Sequence, residues 1–173
     1  EAYMNTGIQR SSATPFGAST TTDPAGKVRP GKQEFRKNIA KVIAAHNIPY
    51  VAQASLHNLV DLTKKAEKAF SYAGPTFIVC LQPCTLGWRY PTEMTVEIAK
   101  LAVESCFWPL YEIENGEYKL SYKPRNKIPV TDFLKTQGRF KHLFKPGNEE
   151  MLVKIQEHVD SEWAKLLKLC GEE

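Results

Sequence analysis

The chain has 173 residues, 42% of them hydrophobic and 24% charged, with a net charge of +4. That is enough to build one globular domain with a real core. No apolar run approaches the ~18 residues of a membrane span, no signal-peptide pattern opens the sequence, and so modest a charge does not by itself indicate nucleic acid.

Residues 1–32 are rich in Gly, Ser, Thr and Pro and include the run Thr20-Thr21-Thr22. The opening string EAYMNTGIQRSSATP gathers Asn5, Thr6, Gly7, Gln9, Ser11, Ser12 and Thr14 with almost no core-forming side chain. Asn-Thr-Gly is turn chemistry, because Gly supplies a positive φ and short polar side chains cap the backbone. Such a segment suits an ordinary solvated loop, or one that holds an anion or a polar cofactor.

From Gln33 to His46, Phe35, Ile39, Val42 and Ile43 fall on one face of a helix, which Asn47-Ile48-Pro49 ends. Tyr50–Ala54 reads as a short buried strand. Leu59, Leu62, Ala66, Ala69 and Phe70 form the next helical stripe, stopped by Gly74-Pro75. Thr76–Leu81 (TFIVCL) has the continuous apolar pattern of a parallel strand covered on both faces, which makes mid-strand Cys80 a small buried hydrophobe. Thr92 is placed to cap a third helix with Met94, Ile98, Leu101 and Ala102 on one face.

This alternation predicts an α/β fold: βαβ units in a doubly wound, mostly parallel sheet, whose ligands collect at the carboxyl ends of strands. The opening loop and Gln82–Trp88 both lie at such ends in this scheme, so they are expected to converge. Leu110–Ile113 and Tyr118–Tyr122 flank Asn115-Gly116, the strongest short hairpin signal.

A basic stretch follows, with Lys119, Lys123, Arg125, Lys127, Lys135, Arg139, Lys141 and Lys145 among Tyr118, Tyr122, Phe133, Phe140 and Phe144. It reads as a solvated basic face. Residues 148–169 close the chain as a helix, with Leu152, Ile155, Val159, Trp163 and Leu166 on one side. The four cysteines, Cys80, Cys84, Cys106 and Cys170, are irregularly spaced without a CxxC pair, which points to a reducing, cytoplasmic setting. The four histidines lack metal-ligand spacing.

The opening string resembles the thiamine diphosphate loop of the β subunit of pyruvate:ferredoxin oxidoreductase. GASTTTDPAGK (17–27), GKQEFRKNIA (31–40), PYVAQAS (49–55), QPCTLGWRYP (82–91), FWPLYE (107–112) and QGRFKHLFKP (137–146) resemble that subunit in the same order. The resemblance implies a thiamine-diphosphate-binding fold, with residues 1–106 in the α/β domain. Residues 107–173 would be a hairpin, basic linker and helix packed on that domain or on a partner.

The family's Gly-Asp-Gly motif and upstream cluster cysteines are not in this sequence. The chain therefore resembles the C-terminal part of the subunit, whether a fragment, a processed product or half of a split polypeptide. It is not expected to be catalytic alone.

Residue by residue, the resemblance puts Asn5 beside the reactive ring of thiamine diphosphate and the 2-oxo acid, where an amide offers both donor and acceptor. It puts the main-chain carbonyl of Ala2 on Mg²⁺, and Thr6, Gly7 and Gln9 near the diphosphate. Cys84 becomes the last thiolate of a [4Fe–4S] cluster. Without the resemblance, a lone cysteine is more often a buried hydrophobe.

The implied reaction converts pyruvate, coenzyme A and oxidised ferredoxin to acetyl-CoA, CO₂ and reduced ferredoxin, or runs in reverse. The implied partners are the upstream half of the β subunit, the other subunits of the complex and ferredoxin; a membrane or nucleic-acid partner is not implied. Two alternatives stand beside it: action on another 2-oxo acid, such as oxalate or 2-oxoglutarate, and a non-catalytic assembly or nucleic-acid-binding module.

Overall fold

In the computed structural model, which describes residues 1–172, the chain opens with a small antiparallel ribbon of β1 (Ala2–Tyr3) and β2 (Gln9–Arg10). The long irregular segment to residue 38 is held by its own polar groups. The Lys32 ammonium, buried, donates to the carbonyls of Thr14 at 2.6 Å and Ser12 at 3.3 Å. Gly31 sits at φ +82°, where a side chain is strained and a Cβ would meet the Gly17 carbonyl at 2.6 Å.

Helix α1 (Ile39–Ala44) starts later than the periodicity of Gln33–His46 predicts. Asn38 caps it by accepting from the Lys41 N–H at 3.2 Å. Phe35 lies outside the helix, stacked between Phe16 and His158 with centroid separations of 4.8 and 3.7 Å. Ile39 and Val42 remain exposed, whereas Phe35 and Ile43 pack, partly buried, against the core.

Strand β3 (Tyr50–Ser55), buried throughout, is followed by α2 (Leu59–Ser71) and β4 (Thr76–Leu81). Leu59 and Phe70 are exposed, contrary to the stripe expected of α2, and its buried residues are Lys65 and Ala69. The Lys65 ammonium donates to the Asp61 carboxylate (2.6 Å), the Gln53 carbonyl (2.8 Å) and the Ser121 hydroxyl (2.8 Å), pinning α2 to the sheet. Burial lowers its pKa, with Asp61 opposing.

A short α3 (Thr85–Trp88), a 3-10 turn (Thr92–Met94) and α4 (Thr95–Glu104) come next. Thr92 lies inside the turn, its carbonyl accepting the Thr95 hydroxyl at 2.6 Å, rather than capping α4 through its side chain. The expected hairpin is β5 (Tyr111–Glu114) and β6 (Glu117–Leu120), with Asn115 and Gly116 at φ 49° and 87°. These are the positive values of a type I′ turn.

The main sheet is ordered β4-β3-β5-β6. Only β3 and β4 pair in parallel; β3–β5 and β5–β6 are antiparallel. The α/β class stands, but among the described residues the sheet is mixed, because the hairpin joins it instead of standing apart. Strand β4 lies at the sheet edge and is only partly buried, with Cys80 exposed rather than buried.

Helix α5 (Val130–Leu134), a 3-10 segment (Gly138–Phe144) and α6 (Glu149–Leu169) complete the fold. Ile155 and Val159 of α6 share one core cluster with Phe16, Ile98, Val103, Trp108, Val130, Phe133 and Phe140. The tail therefore packs on the rest of this chain. Among the described residues no helix is long and apolar enough to cross a membrane.

Candidate functional site

The ribbon β1–β2 carries Ala2, Asn5, Thr6, Gly7 and Gln9, while Ser11, Ser12 and Thr14 follow it. Ala2 pairs with Arg10 and Tyr3 with Gln9, leaving residues 4–8 as the connecting tip. Gly7 closes the tip at φ +99°, its N–H donating to the Met4 carbonyl at 3.1 Å. The next residue, Ile8, takes φ 57°, a strained position for a β-branched side chain.

Thr21, from the threonine run, holds that strain in place. Its hydroxyl donates to the Gly7 carbonyl at 2.6 Å, and its N–H to the Ile8 carbonyl at 3.1 Å. Thr22 accepts from the Arg10 N–H at 2.8 Å. The threonine run, which sequence reading left unexplained, is the brace of this loop.

At the tip, Asn5, Thr6 and Gly7 are exposed. The Thr6 hydroxyl donates to the Gln9 side-chain oxygen at 3.1 Å. Asn5 makes no side-chain hydrogen bond among the described residues, so its amide is not consumed by its own turn. The ribbon thus presents neutral donors and acceptors, the chemistry that fits a polar cofactor or substrate carbonyl.

The base of the ribbon is fixed from the other end of the chain. The Glu1 carbonyl accepts from the Ser11 hydroxyl at 2.8 Å and from Thr14. The Glu1 carboxylate accepts from Arg139 Nη1 at 2.5 Å. Arg139 is only 3% exposed, so it does not belong to a solvated basic face. Its guanidinium lies 3.9 Å from the Trp88 ring centroid, and its Nε–H donates to the Gln137 side chain at 2.8 Å. Burial pulls its pKa down, against the opposing pull of Glu1. Other cations of that run are paired too: Lys123 with Glu172, Lys127 with Asp160 and Lys135 with Asp132.

Cys84 follows the end of β4 and caps α3, its sulfur accepting the Gly87 N–H at 3.4 Å. It is half-buried, whereas Cys106 is buried and its thiol is pushed up to about 11 by desolvation. The Cys84 turn and the ribbon meet. A Cβ on Gly87 would lie 3.0 Å from both the sulfur and the terminal methyl of Met4, and 3.5 Å from Cys84 Sγ. Between them opens a cavity of about 160 Å³ lined by Ile8, Ser19, Thr20, Thr21, Leu86, Gly87 and Arg89.

The two segments expected to converge therefore do so, although the first reaches the site from a separate antiparallel ribbon. A second, apolar cavity of about 80 Å³ lies under α6, between Phe16, Phe35, Tyr111, His158 and Trp163. It shares no residue with the first.

No group of three or more His, Cys, Asp or Glu suited to a metal occurs among the described residues. Cys84 offers one thiolate, and a cubane takes four ligands. Ala2 offers one hard carbonyl oxygen of the kind Mg²⁺ prefers. These donors fit part of a shell whose remainder would come from elsewhere.

The chain is 52% identical over 169 residues to pyruvate synthase subunit PorB of Methanocaldococcus jannaschii, a match covering 98% of this chain and 55% of the relative. It is 49% identical over 170 residues to the PorB subunit of Thermotoga maritima, covering 98% and 52%. Nearly the whole chain is thus similar to PorB subunits.

The chain is also 46% identical over 172 residues to ketoisovalerate oxidoreductase subunit VorB of Pyrococcus abyssi, covering 98% of this chain and 54% of the relative. The chain spans about half the length of the curated relatives it matches. No family model matches it.

Proposed function

We propose that this chain forms one wall of the active site of a 2-oxoacid:ferredoxin oxidoreductase, acting on pyruvate within a multi-subunit complex. The observation that carries this reading is the contact of Met4 with Gly87, which joins the polar ribbon to the Cys84 turn in a chain similar to PorB subunits. The overall reaction takes pyruvate, coenzyme A and two oxidised ferredoxins to acetyl-CoA, CO₂, two reduced ferredoxins and a proton. Thiamine diphosphate supplies the electron sink for decarboxylation, and a [4Fe–4S] cluster a one-electron exit.

The residues of this chain bind and orient. The Asn5 side-chain N–H, free of internal bonds, donates to the 2-oxo oxygen from a tip whose main chain Thr21 braces. Gly7, with no side chain and open space around it, lets main chain approach the diphosphate, with Thr6 and Gln9 beside it. The Ala2 carbonyl would supply one hard oxygen to Mg²⁺. Cys84 would ligate the cluster, its sulfur oriented by the Gly87 N–H. The Mg²⁺-binding carboxylate, the other cluster thiolates and the rest of the cofactor pocket come from the remaining half of the subunit and its partners.

The test is co-purification with that half and the other subunits, followed by native mass spectrometry and iron, sulfide and thiamine analysis. The expected result is a complex holding all three and oxidising pyruvate faster than other 2-oxo acids. A folded complex without iron and thiamine would refute it. A branched-chain acid is the second reading, favoured by the 46% identity to VorB; a higher rate on 3-methyl-2-oxobutanoate than on pyruvate would select it.

A further inference from the structure

We propose that Arg139 is a positioning residue that sets the separation of the cofactor ribbon and the Cys84 turn; this rests on the function proposed above. Its main chain is clamped on both sides. The Arg139 carbonyl accepts from the Ser19 N–H at 2.9 Å, and the neighbouring Gly138 N–H donates to the Arg89 carbonyl at 3.0 Å. Gly138 packs so closely that a Cβ there would lie 2.8 Å from the Arg89 Cβ. The 3-10 segment therefore holds a fixed place between the threonine-rich loop and the residues just after α3.

From this base the side chain reaches inward and touches both halves of the site. One nitrogen pairs with the carboxylate of Glu1, which directly precedes Ala2. Its flat face covers Trp88, the last residue of the helix that Cys84 caps. Gln137, itself anchored by donating to the Phe133 carbonyl at 2.7 Å, fixes the guanidinium in its plane. Only a planar group offers a bonding edge and a stacking face together, and an ammonium does not.

Stability alone does not account for the arrangement. Arg139 Nη2 and Glu1 Oε1 are buried without hydrogen-bond partners among the described residues. A buried pair left partly unsatisfied is a poor stabiliser compared with apolar packing, and its best-attested use is to fix a geometry. Here the geometry is the register of Ala2–Asn5 against Cys84.

The assembled complex is compared as wild type, Arg139→Lys, Glu1→Gln and the double variant. Thiamine diphosphate dissociation constants are measured by titration, and hydrogen exchange is followed in residues 2–10 and in α6. Each single variant is expected to weaken thiamine diphosphate about 10-fold, the scale seen when groups that orient a ligand shell are altered. Exchange should rise in the ribbon and stay unchanged in α6.

The double variant should be no worse than the worse single, since both act through one contact. Arg139→Lys keeps charge and bulk, and Glu1→Gln keeps an acceptor, so a folding failure of one leaves the other to decide. Dissociation constants within twofold of wild type, or multiplicative losses in the double variant, would overturn the positioning role while the proposed function stood. A wild-type complex with no affinity for thiamine diphosphate would overturn both.

Discussion

Replacing Lys65 by methionine tests how α2 is held to the sheet. The ammonium is fully buried, and Asp61 beside it is only 9% exposed. Removing the cation leaves that carboxylate unpaired and takes one donor each from the Gln53 carbonyl and the Ser121 hydroxyl. Breaking one side of a buried ion pair costs about 3–5 kcal/mol, whereas removing both charges and packing the space is often nearly neutral.

Lys65→Met should therefore lose about 3 kcal/mol, near the lower end because Asp61 keeps a little contact with water. The double variant Asp61→Asn/Lys65→Met should recover about 2 kcal/mol of this, a coupling within the range for residues in direct contact. Urea unfolding of the three proteins, extrapolated to water, gives both numbers. A loss below about 1 kcal/mol in the single variant, or a double variant no better than the single, would refute the reasoning.

Three further outcomes follow from the same geometry. Gly31→Ala adds a clash with the Gly17 and Ala18 carbonyls to the strain of a positive φ, whereas Gly147→Ala, at φ +91° in open space, adds only the strain. The first should cost about 3 kcal/mol and the second about 1 in thermal unfolding; equal costs would contradict the close approach. Lys68, then Tyr72, hydrogen-bond Glu114 and hold its carboxyl below the usual range. Its folded pKa lies below the unfolded one, so its contribution is present above the unfolded value and fades as pH falls through the folded value. Glu114→Gln should flatten the acid limb of a stability-versus-pH curve, modestly because the group is solvated. Asn5→Ala removes an exposed, unbonded amide, so stability should stay within about 0.5 kcal/mol while kcat of the assembled complex falls on the order of 100-fold; a large fall in stability with unchanged kcat would make Asn5 structural.

Much of the fold is local and was therefore readable. Asn115-Gly116 specifies a hairpin because only a type I′ turn wants two positive φ values there. The apolar spacing of Ile155, Val159 and Leu166 specifies a buried stripe because helical periodicity brings those positions to one face. TFIVCL specifies a strand through its β-forming residues.

The same pattern did not reveal that β4 is an edge, because strand order is set by what pairs with it and not by its own residues. Nor did it reveal that Cys80 is exposed, since what covers a strand's face comes from elsewhere in the chain. Phe35 lies outside the helix and stacks on His158, far along the chain, a partner its own segment does not announce.

The candidate site divides in the same way. The polar string around Asn5 and the strand-end cysteine at 84 were visible as residue types suited to a chemistry, and their resemblance to a known subunit named it. Arg139 looked like one more cation on a solvated face, and nothing in the helical stripe marked Lys65. A charge is buried when opposite charge and acceptors enclose it, and Glu1 stands 138 positions from Arg139. By itself the sequence determined most of the elements and the hairpin turn, which depend on residues a few positions apart. The tertiary structure alone decided which strand is an edge, which cations are buried and how the ribbon meets the Cys84 turn, because those depend on groups brought together only by folding.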